Sequence, residues 1–371
     1  MKVKIFGAGS IGNHLTQASR RKGWDVTVVD IDPAALKRMK EEIYPKRYGS
    51  WDPQIKLMTP EEAPKGGFDV IMVGTPPPAR LKVAMEALEG KPRVLQLEKP
   101  YFVPMLDESL KRENQEFMEK AKSLGIKVVV GYEYALGESA KKALDFISDK
   151  GFGKIRVLEV AVREEWSGAL AAHPWLKGPA DTYLGFWQKG GGALSEHSHA
   201  IHYWQHFASH LGLGTIDEVS ASMRMVKDAL LDYDELTYLN IKTDQSFTGT
   251  IVQDVVTDPP YLSLFIQREK AFVKWLRRSV PGKGNVETIT YGKKDENGWL
   301  VTTEDIPVAR PDDFYPEINH IADLLEEKVK IEDSPIRLEM GAHVTAVVTA
   351  AHESRLNNGK FIKVTKYAGY R

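Results

Sequence analysis

The sequence predicts an α/β protein, with an N-terminal doubly wound parallel sheet and a C-terminal α+β region whose sheet is open and mostly antiparallel. Over roughly the first 130 residues, short and continuously apolar runs alternate with helical stretches, as expected for parallel strands buried on both faces. A glycine-rich turn follows the first of these runs. After Tyr132, strand-like runs follow one another through short turns, which indicates antiparallel pairing.

The first region contains five predicted strands and four predicted helices. The apolar runs that predict strands lie at residues 3–6, 26–29, 70–73, 94–97 and 128–130. The stretches that predict helices lie at residues 11–22, 33–42, 79–88 and 107–124. Asp32 can cap the second helix, because Pro33 after it suits a first helical turn. This alternation is typical of a doubly wound parallel sheet.

The second region begins with a predicted helix and strand and continues through an irregular aromatic stretch from residue 166 to residue 189. The helices are predicted at residues 138–149, 193–210, 317–327 and 337–357. The strands are predicted at residues 155–162, 219–225, 236–242, 246–253, 262–267 and 361–364. We therefore expect two domains, residues 1–132 and residues 133–371, as the length of the chain also favours.

Composition narrows the possible classes of function. With 42% hydrophobic and 27% charged residues and a net charge of −1, the chain gives no reason to expect nucleic acid or an anionic membrane as a partner. No apolar run is long enough to predict a membrane span. The absence of cysteine excludes disulfides and thiolate chemistry. No signal peptide precedes the first strand, so we expect a cytoplasmic protein.

The glycine-rich turn has the spacing of a dinucleotide-binding loop. Gly7 would permit the tight turn, Gly9 would let a pyrophosphate approach the backbone, and Gly12 would allow close packing of helix on strand. Ser10 and Ile11 would present backbone N–H groups at the start of the helix, where an anion is favoured. A purely structural turn is the alternative interpretation of these glycines.

Asp30 ends the second predicted strand, where an acidic residue can hold the ribose hydroxyls of a dinucleotide. Its carboxylate would repel a 2′-phosphate, and the next residue is Ile31 instead of an arginine. NAD is therefore favoured over NADP as the cofactor. Thr75 and Pro76 follow the third apolar run and are predicted to lie at the same edge of the sheet.

Glu98, Lys99 and Pro100 follow the apolar run at residues 94–97 and are also expected at the cofactor edge. An isolated lysine is most often a solvated surface residue, but this one is delivered to the carboxyl end of a strand. Its ammonium could bond a substrate hydroxyl and stabilise the alkoxide that forms as hydride leaves. We therefore predict Lys99 as a catalytic and substrate-binding residue beside the cofactor.

Five of the ten histidines lie between residues 197 and 210. Glu196 and His199 are three residues apart, so a continuous helix would place them side by side, with the carboxylate orienting the imidazole. His202 is the alternative proton acceptor, whereas His206 and His210 fit a half-polar helix stripe. A metal site is disfavoured, because these histidines lack the flanking carboxylates of metal motifs.

The segment from Arg163 to Trp187 is predicted to form a substrate wall. Aromatic faces such as Trp175 can pack against sugar rings, and Arg163, Asp181 and Tyr183 could bond hydroxyls or a substrate acid group, together with His173. The alternative is that the aromatic rings fill the core or face another subunit.

Taken together, these motifs resemble the glucose–fructose oxidoreductase/inositol dehydrogenase family (Gfo/Idh/MocA). The resemblance spans essentially the whole chain and rests on GAGSIG, TPPP, the EKP at residues 98–100, GY at 131–132, GGGAL at 190–194 and AAHESRLNNG near the end. It implies an N-terminal Rossmann domain, a C-terminal open sheet through which subunits associate, and NAD(P)-dependent chemistry on sugars or cyclitols. It also implies that Lys99 is the catalytic lysine, that Asp30 binds ribose and that His199 is the candidate base.

The chain departs from the family pattern in two places. In the histidine segment, His199 stands one position earlier than the histidine of the commonest family pattern. The choice between His199 and His202 as the catalytic base therefore stays open. The usual asparagine–arginine pair after the sixth strand is missing, with Glu133 and Ala135 in that region.

The sequence therefore predicts an NAD-dependent oxidoreductase that transfers hydride between the nicotinamide and a carbinol or keto carbon of a sugar, cyclitol or sugar derivative. Lys99 and His199 would be the acid–base groups, and the protein would be a homodimer or homotetramer. A redox-neutral epimerase, lyase or glycosidase that oxidises its substrate transiently is the alternative enzyme. A non-catalytic NAD-binding regulatory module is the alternative outside enzymes, although such a module would need neither Lys99 nor the Glu196/His199 pair.

Overall fold

The computed structural model describes residues 1–171, 175–280, 284–308 and 314–367. Its first sheet has six strands, all parallel, in the order β3-β2-β1-β4-β5-β6. Their bounds are β1 Lys2–Phe6, β2 Asp25–Val29, β3 Lys56–Met58, β4 Val70–Val73, β5 Val94–Leu97 and β6 Lys127–Val130. The five predicted strands are confirmed, and the short edge strand β3 is an addition.

The helices of this region cover both faces of the sheet. They are α1 Ser10–Arg21, α2 Pro33–Arg38, α3 Tyr44–Tyr48, α4 Pro77–Glu89 and α5 Glu108–Ser123. A π-helical turn at Met39–Ile43 joins α2 to α3, so the predicted second helix is longer and less regular than expected. The predicted cap is confirmed, because the Asp32 carboxylate accepts a hydrogen bond from the N–H of Ala34.

The second sheet has nine strands among the described residues, in the order β14-β13-β12-β11-β7-β10-β9-β8-β15. Only β7 and β10 pair in parallel, and all other neighbours are antiparallel. The bounds are β7 Ile155–Arg163, β8 Ile216–Lys227, β9 Asp232–Thr243, β10 Thr248–Asp254, β11 Tyr261–Arg268, β12 Ala271–Val280, β13 Gly284–Asp295, β14 Gly298–Val308 and β15 Ile362–Lys363. The predicted fold class is confirmed, although the sequence analysis missed β12, β13 and β14.

Helices pack against one face of the second sheet. They are α6 Glu138–Ile147, α7 Trp166–Ala171, α8 Gly192–Glu196, α9 His199–His210 and, after α10 Tyr315–Leu325, α11 Leu338–Leu356. Helix α10 itself packs against α1 and β5 of the first region. The face they cover carries the buried residues of β7, and the indole N–H of Trp204 on α9 donates to the carbonyl of Leu158. Among the helices within the described ranges, none is long and apolar enough to cross a membrane.

The helix predicted at residues 193–210 is two helices, α8 and α9, separated at His197 and Ser198. The buried side-chain amide of Gln253 donates to the carbonyls of Leu194 and His197, at 3.1 and 2.6 Å. These bonds satisfy carbonyl groups that the broken helix leaves unpaired. The break changes the directions of the side chains on either side of it.

The end of the chain returns to the first sheet. The N–H of Val130 donates to the carbonyl of Ile336 at 2.8 Å, and a Cβ on Gly341 of α11 would lie 2.4 Å from the Val130 side chain. A single buried apolar cluster includes residues of both sheets. The division into residues 1–132 and 133–371 therefore stays a prediction.

Candidate active site

The turn between β1 and α1 separates the roles of its three glycines. Gly7 has a φ of +104°, which favours glycine, and its N–H donates to the carbonyl of Val29. A Cβ on Gly12 would lie 1.9 Å from the Gly7 carbonyl oxygen, so the close approach of helix to strand requires glycine. A Cβ on Gly9 would meet nothing within 4 Å, which leaves open space above the backbone there.

Arg47 holds the first residue of α1, Ser10, through hydrogen bonds. Arg47 donates to both the hydroxyl and the carbonyl of Ser10, at 2.9 and 3.0 Å. The Ser10 side chain is buried, so its predicted contribution to cofactor binding is limited to the backbone, as for Ile11.

Asp30 links the end of β2 to the glycine turn. Its carboxylate accepts hydrogen bonds from the N–H groups of Ala8 and Asp32, at 2.7 and 2.9 Å. The adjacent Ile31 side chain is 86% exposed and can cover an apolar ligand surface. A carboxylate oriented by two N–H groups keeps lone pairs for hydroxyl donors.

Arg80 joins the ends of β4 and β5, and the sequence analysis missed it. Its buried guanidinium donates to the carbonyl of Thr75, at 3.1 and 2.6 Å, and to the carbonyl of Pro100. Pro76 caps α4 between these groups. The only sequence signal was an arginine three residues after Pro77, in the first turn of the predicted helix.

Lys99 and Glu196 form an ion pair between the two regions of the chain. The Lys99 ammonium donates to the Glu196 carboxylate and to the Glu196 carbonyl, both at 2.8 Å. The Tyr183 hydroxyl donates to the other carboxylate oxygen at 3.2 Å. Burial would raise the pKa of the Glu196 carboxyl, but Lys99, together with His197 and Tyr183, outweighs it and the pKa is lowered. Glu196 is therefore ionised and orients the lysine.

His199 has a different carboxylate neighbour from the one predicted. Its Nε2 lies 3.7 Å from the Glu133 carboxylate, and the rings of Tyr132 and Tyr134 lie on either side. The continuous helix on which the pairing of Glu196 with His199 was predicted is broken between α8 and α9, and Glu196 pairs with Lys99 instead. Glu133 was named in the sequence only as a departure from the family pattern.

The His199 imidazole is neutral at pH 7. Burial lowers its pKa well below the usual value, and the Lys99 ammonium lowers it further. Its Nδ1 is buried and has no hydrogen-bond partner within the part of the chain that the structure describes. A neutral imidazole with an unoccupied nitrogen can accept a proton.

His202 lies in the core, so the structure corrects its prediction as a base or substrate contact. Its Nε2 donates to the carbonyl of Pro335 at 2.8 Å, and its ring stacks on Tyr132 at a centroid distance of 4.4 Å. Burial lowers its pKa to about 4. These contacts give His202 a packing role that links α9 to the segment before α11.

Three carboxyl groups and an amide lie behind Lys99. The Gln96 amide donates to Glu98 at 2.9 Å, and the Glu317 side chain of α10 is fully buried. Burial raises the pKa of Glu98, and burial together with Glu98 and Glu133 raises the pKa of Glu317 well above its usual value. Glu317 therefore holds a proton, and no sequence motif indicated this cluster.

The predicted substrate wall is only partly assembled. Among its members that the structure describes, Tyr183 is the one that donates a hydrogen bond to the Lys99–Glu196 pair. Arg163 pairs with Asp254, the Trp175 ring lies 4.9 Å from the guanidinium of Arg38, and Asp181 accepts from the N–H of Lys177. His173 lies outside the described residues.

The physical reason for the displacement of Arg163 is strand alternation. Val162 is buried against the helices, so Arg163 points to the opposite face of the sheet. The prediction that Arg163 binds substrate is therefore wrong. Trp175 contacts Arg38 and Asp181 contacts Lys177, and their roles as substrate contacts stay predictions.

No cluster of three or more histidine and acidic side chains within the described ranges could hold a metal ion. The groups that the structure brings together can bind and orient a hydroxyl and accept its proton. They lie at the carboxyl ends of β4 and β5, at the same edge of the sheet as the glycine turn.

Comparison with known proteins supports the assignment of the N-terminal region. Residues 2–56 match the family model described as the NAD binding domain of 3-hydroxyacyl-CoA dehydrogenase. No curated protein sequence matches the chain. This match confirms the prediction of an NAD-binding domain at the N-terminus, and hence of NAD as the cofactor.

Solved structures with the same fold include several oxidoreductases. Levoglucosan dehydrogenase in complex with NADH is 15% identical, with a TM-score of 0.76 over 98% of this chain and 99% of that one. An oxidoreductase from Agrobacterium radiobacter in complex with NAD+, L-tartaric acid and magnesium is 15% identical, with a TM-score of 0.71 over 99% of both chains. An NAD binding oxidoreductase from Klebsiella pneumoniae is 16% identical, with a TM-score of 0.71 over 98% and 99%. The chain therefore has the two-domain fold of these oxidoreductases.

Proposed function

We propose that the protein is an NAD-dependent oxidoreductase of the Gfo/Idh/MocA type that acts on a CH–OH group of a sugar, cyclitol or sugar derivative. The observation that carries the proposal is the Lys99–Glu196 ion pair at the carboxyl end of β5. Ligands of doubly wound sheets bind at this edge, where the glycine turn also lies. The levoglucosan dehydrogenase fold supports a sugar as substrate.

The chain's residues fit a bound dinucleotide. The open backbone at Gly9 and the N–H groups at the start of α1 would receive the pyrophosphate, and Asp30 would accept hydrogen bonds from ribose hydroxyls. Ile31 would lie against the adenine, and Thr75 and Glu98 would flank the nicotinamide end. Bound NAD+ supplies the hydride acceptor. Because Asp30 would repel a 2′-phosphate, we expect NAD to bind more tightly than NADP.

Lys99 would donate a hydrogen bond to the substrate oxygen and stabilise its developing negative charge. Glu196 keeps the ammonium ionised and oriented, and Tyr183 fixes the second oxygen of that carboxylate. The neutral His199 would accept the hydroxyl proton through its free nitrogen. Separating the charge-stabilising group from the proton acceptor allows both to work at neutral pH.

We also propose that the protein forms a homodimer or homotetramer through the open face of the second sheet. Tyr238 is 46% exposed on that face, and half-buried apolar residues such as Phe265 share it. Light scattering after gel filtration measures the assembly, and a monomer at micromolar concentration would contradict this part of the proposal.

The function is tested with the purified protein, NAD+ or NADP+, and a panel of neutral sugars and cyclitols. We expect tighter binding of NAD+ and NADH accumulation with at least one member of the panel. Product formation without net NADH would instead indicate a redox-neutral enzyme. Tight NAD+ binding with no conversion of any member would contradict the enzymatic proposal.

A further inference from the structure

The cations that act on the buried groups of the site are already bound by the protein itself. Lys99 gives two hydrogen bonds to Glu196, and Arg80 gives three to main-chain carbonyls. Arg277, which contributes to the low pKa of His199, lies 3.5 Å from the buried Glu287 carboxylate. An anionic substrate group would have to compete with these internal partners.

The one cation that was expected to receive a substrate acid group is absent from the site. Arg163 pairs with Asp254 on the far face of the second sheet, and Asp254 is fully buried. Turning Arg163 toward Lys99 would leave a buried carboxylate without its partner, which is strongly unfavourable. The arginine is therefore committed to structure.

The acidic residue Glu164 directly follows the end of β7. Continued strand alternation would place it on the same face as Val162, and its side chain is half-buried. Burial lowers the pKa of His197, and Glu164 is the strongest opposing charge on that ring, ahead of Glu196. Glu164 and Glu196 thus act on the same imidazole, beside Lys99.

Resting on the proposed function, we infer that the substrate of this site is an uncharged or amino-bearing sugar or cyclitol, and not a sugar acid or sugar phosphate. A substrate hydroxyl can accept a hydrogen bond from Lys99 while Lys99 stays paired with Glu196. The hydroxyl is neutral, so it does not compete with the Glu196 carboxylate for the positive charge. An ammonium on the substrate gains the Glu164 carboxylate. A carboxylate or phosphate would meet the like charges of Glu164 and Glu196, and it would have to draw Lys99 away from the Glu196 carboxylate.

The inference is tested by comparing kcat/KM within matched substrate series. The gluco and galacto series each offer a neutral sugar, its 2-amino-2-deoxy analogue, its uronate and its 6-phosphate. We expect kcat/KM for the uronate and the phosphate to be at least tenfold below that of the neutral sugar, and the amino sugar to equal or exceed it. A uronate or phosphate as the best substrate overturns the inference and leaves the proposed oxidoreductase intact.

Two variants locate the effect. Glu164→Gln should lower the ratio of kcat/KM for the amino sugar to that for the neutral sugar by about threefold to tenfold, as expected for one partly screened charge. Glu165→Gln is the control, because Glu165 is exposed and bonds the Ser167 hydroxyl. An unchanged ratio in Glu164→Gln, or an equal change in both variants, would show that Glu164 does not set the preference. No turnover of any series with NAD bound would contradict the proposed function and remove this inference with it.

Discussion

The two sides of the candidate site are built by different means. On the cofactor side, the turn between β1 and α1 is shaped by glycines, and most of its polar groups belong to the backbone. On the substrate side, Lys99, Glu196 and Tyr183 are held by one another, and His199 lies against Glu133. The cofactor side depends on glycines, which have no side chains, whereas the substrate side depends on charged side chains.

This difference predicts which substitutions impair each side. A methyl group at Gly12 should disturb the fold, because its Cβ would overlap the Gly7 carbonyl oxygen, whereas a methyl group at Gly9 would occupy the open space that the cofactor needs. A charge removed from the other side should leave the cofactor site intact and alter chemistry. Variants that affect binding and turnover separately therefore test the comparison.

Among the proposed variants, Lys99→Ala should show the largest difference between its effect on turnover and its effect on NAD+ binding. We expect turnover to fall by roughly two to four orders of magnitude, because the substrate oxygen loses the ammonium that stabilises its charge. The Kd for NAD+ should stay nearly unchanged, whereas the melting temperature should fall, because the buried Glu196 carboxylate loses its partner. Lys40→Ala, at an exposed position of the first domain, is the control. Near-normal turnover in Lys99→Ala would refute the proposed role.

Two glycine variants test the cofactor side. Gly12→Ala should destabilise the protein by about 1–3 kcal/mol, because its Cβ would overlap the Gly7 carbonyl oxygen. Gly9→Ala should leave stability unchanged and weaken NAD+ binding, since its Cβ meets open space in the protein. Urea unfolding and NAD+ titration separate the two effects. Equal stability loss in both variants would contradict the assigned roles.

The contrast between the two sides also explains what could be predicted from the sequence. The roles of Gly7, Gly12 and Asp30 follow from local spacing, because a turn and the strand beside it determine them. The partner of Lys99 does not, because Glu196 lies 97 residues away and its direction depends on where α8 ends. That end is set by Gln253, a residue from a distant strand.

Missed strands have a related cause. In β13 and β14, polar residues occupy much of the sequence, and the short apolar run at residues 299–301 of β14 is exposed instead of buried. Their hydrogen-bonded neighbours in the sheet stabilise them instead. Arg163 shows the opposite error, since its strand was correctly predicted while the face to which it points was not considered.

His199→Asn should have a smaller and pH-dependent effect. Burial and Lys99 lower the pKa of His199, so the imidazole is neutral through pH 6.5 and becomes protonated only at lower pH. We expect kcat of the wild type to fall on that acidic side, and His199→Asn to lose this fall and roughly one to two orders of magnitude of rate. His202→Asn should retain the acidic limb. Its disappearance in His202→Asn alone would reassign the base.

Glu317→Gln tests the protonated carboxyl behind Lys99 and should have the smallest effect. The pKa of Glu317 is raised in the folded protein, so its contribution to stability is complete below the unfolded pKa and is lost as pH rises toward the folded pKa. The amide mimics the protonated form, so the variant should be more stable than the wild type at neutral pH, by about 1–3 kcal/mol.

The free energy of unfolding in urea, measured at several pH values, checks this difference. It should shrink toward acidic pH, where Glu317 is protonated in both states. Glu332→Gln, at an exposed position, is the control. A parallel pH dependence in wild type and Glu317→Gln would show that Glu317 is not held protonated.

The central claim is that a carbinol hydrogen of the substrate moves to the nicotinamide beside Lys99. The most direct test uses a substrate deuterated at that carbon and mass spectrometry of the coenzyme and of the product. We predict one deuterium in the reduced coenzyme for each molecule of keto product, with none formed by Lys99→Ala on the same timescale. Unlabelled reduced coenzyme, or a product that retains all its deuterium, would contradict the account.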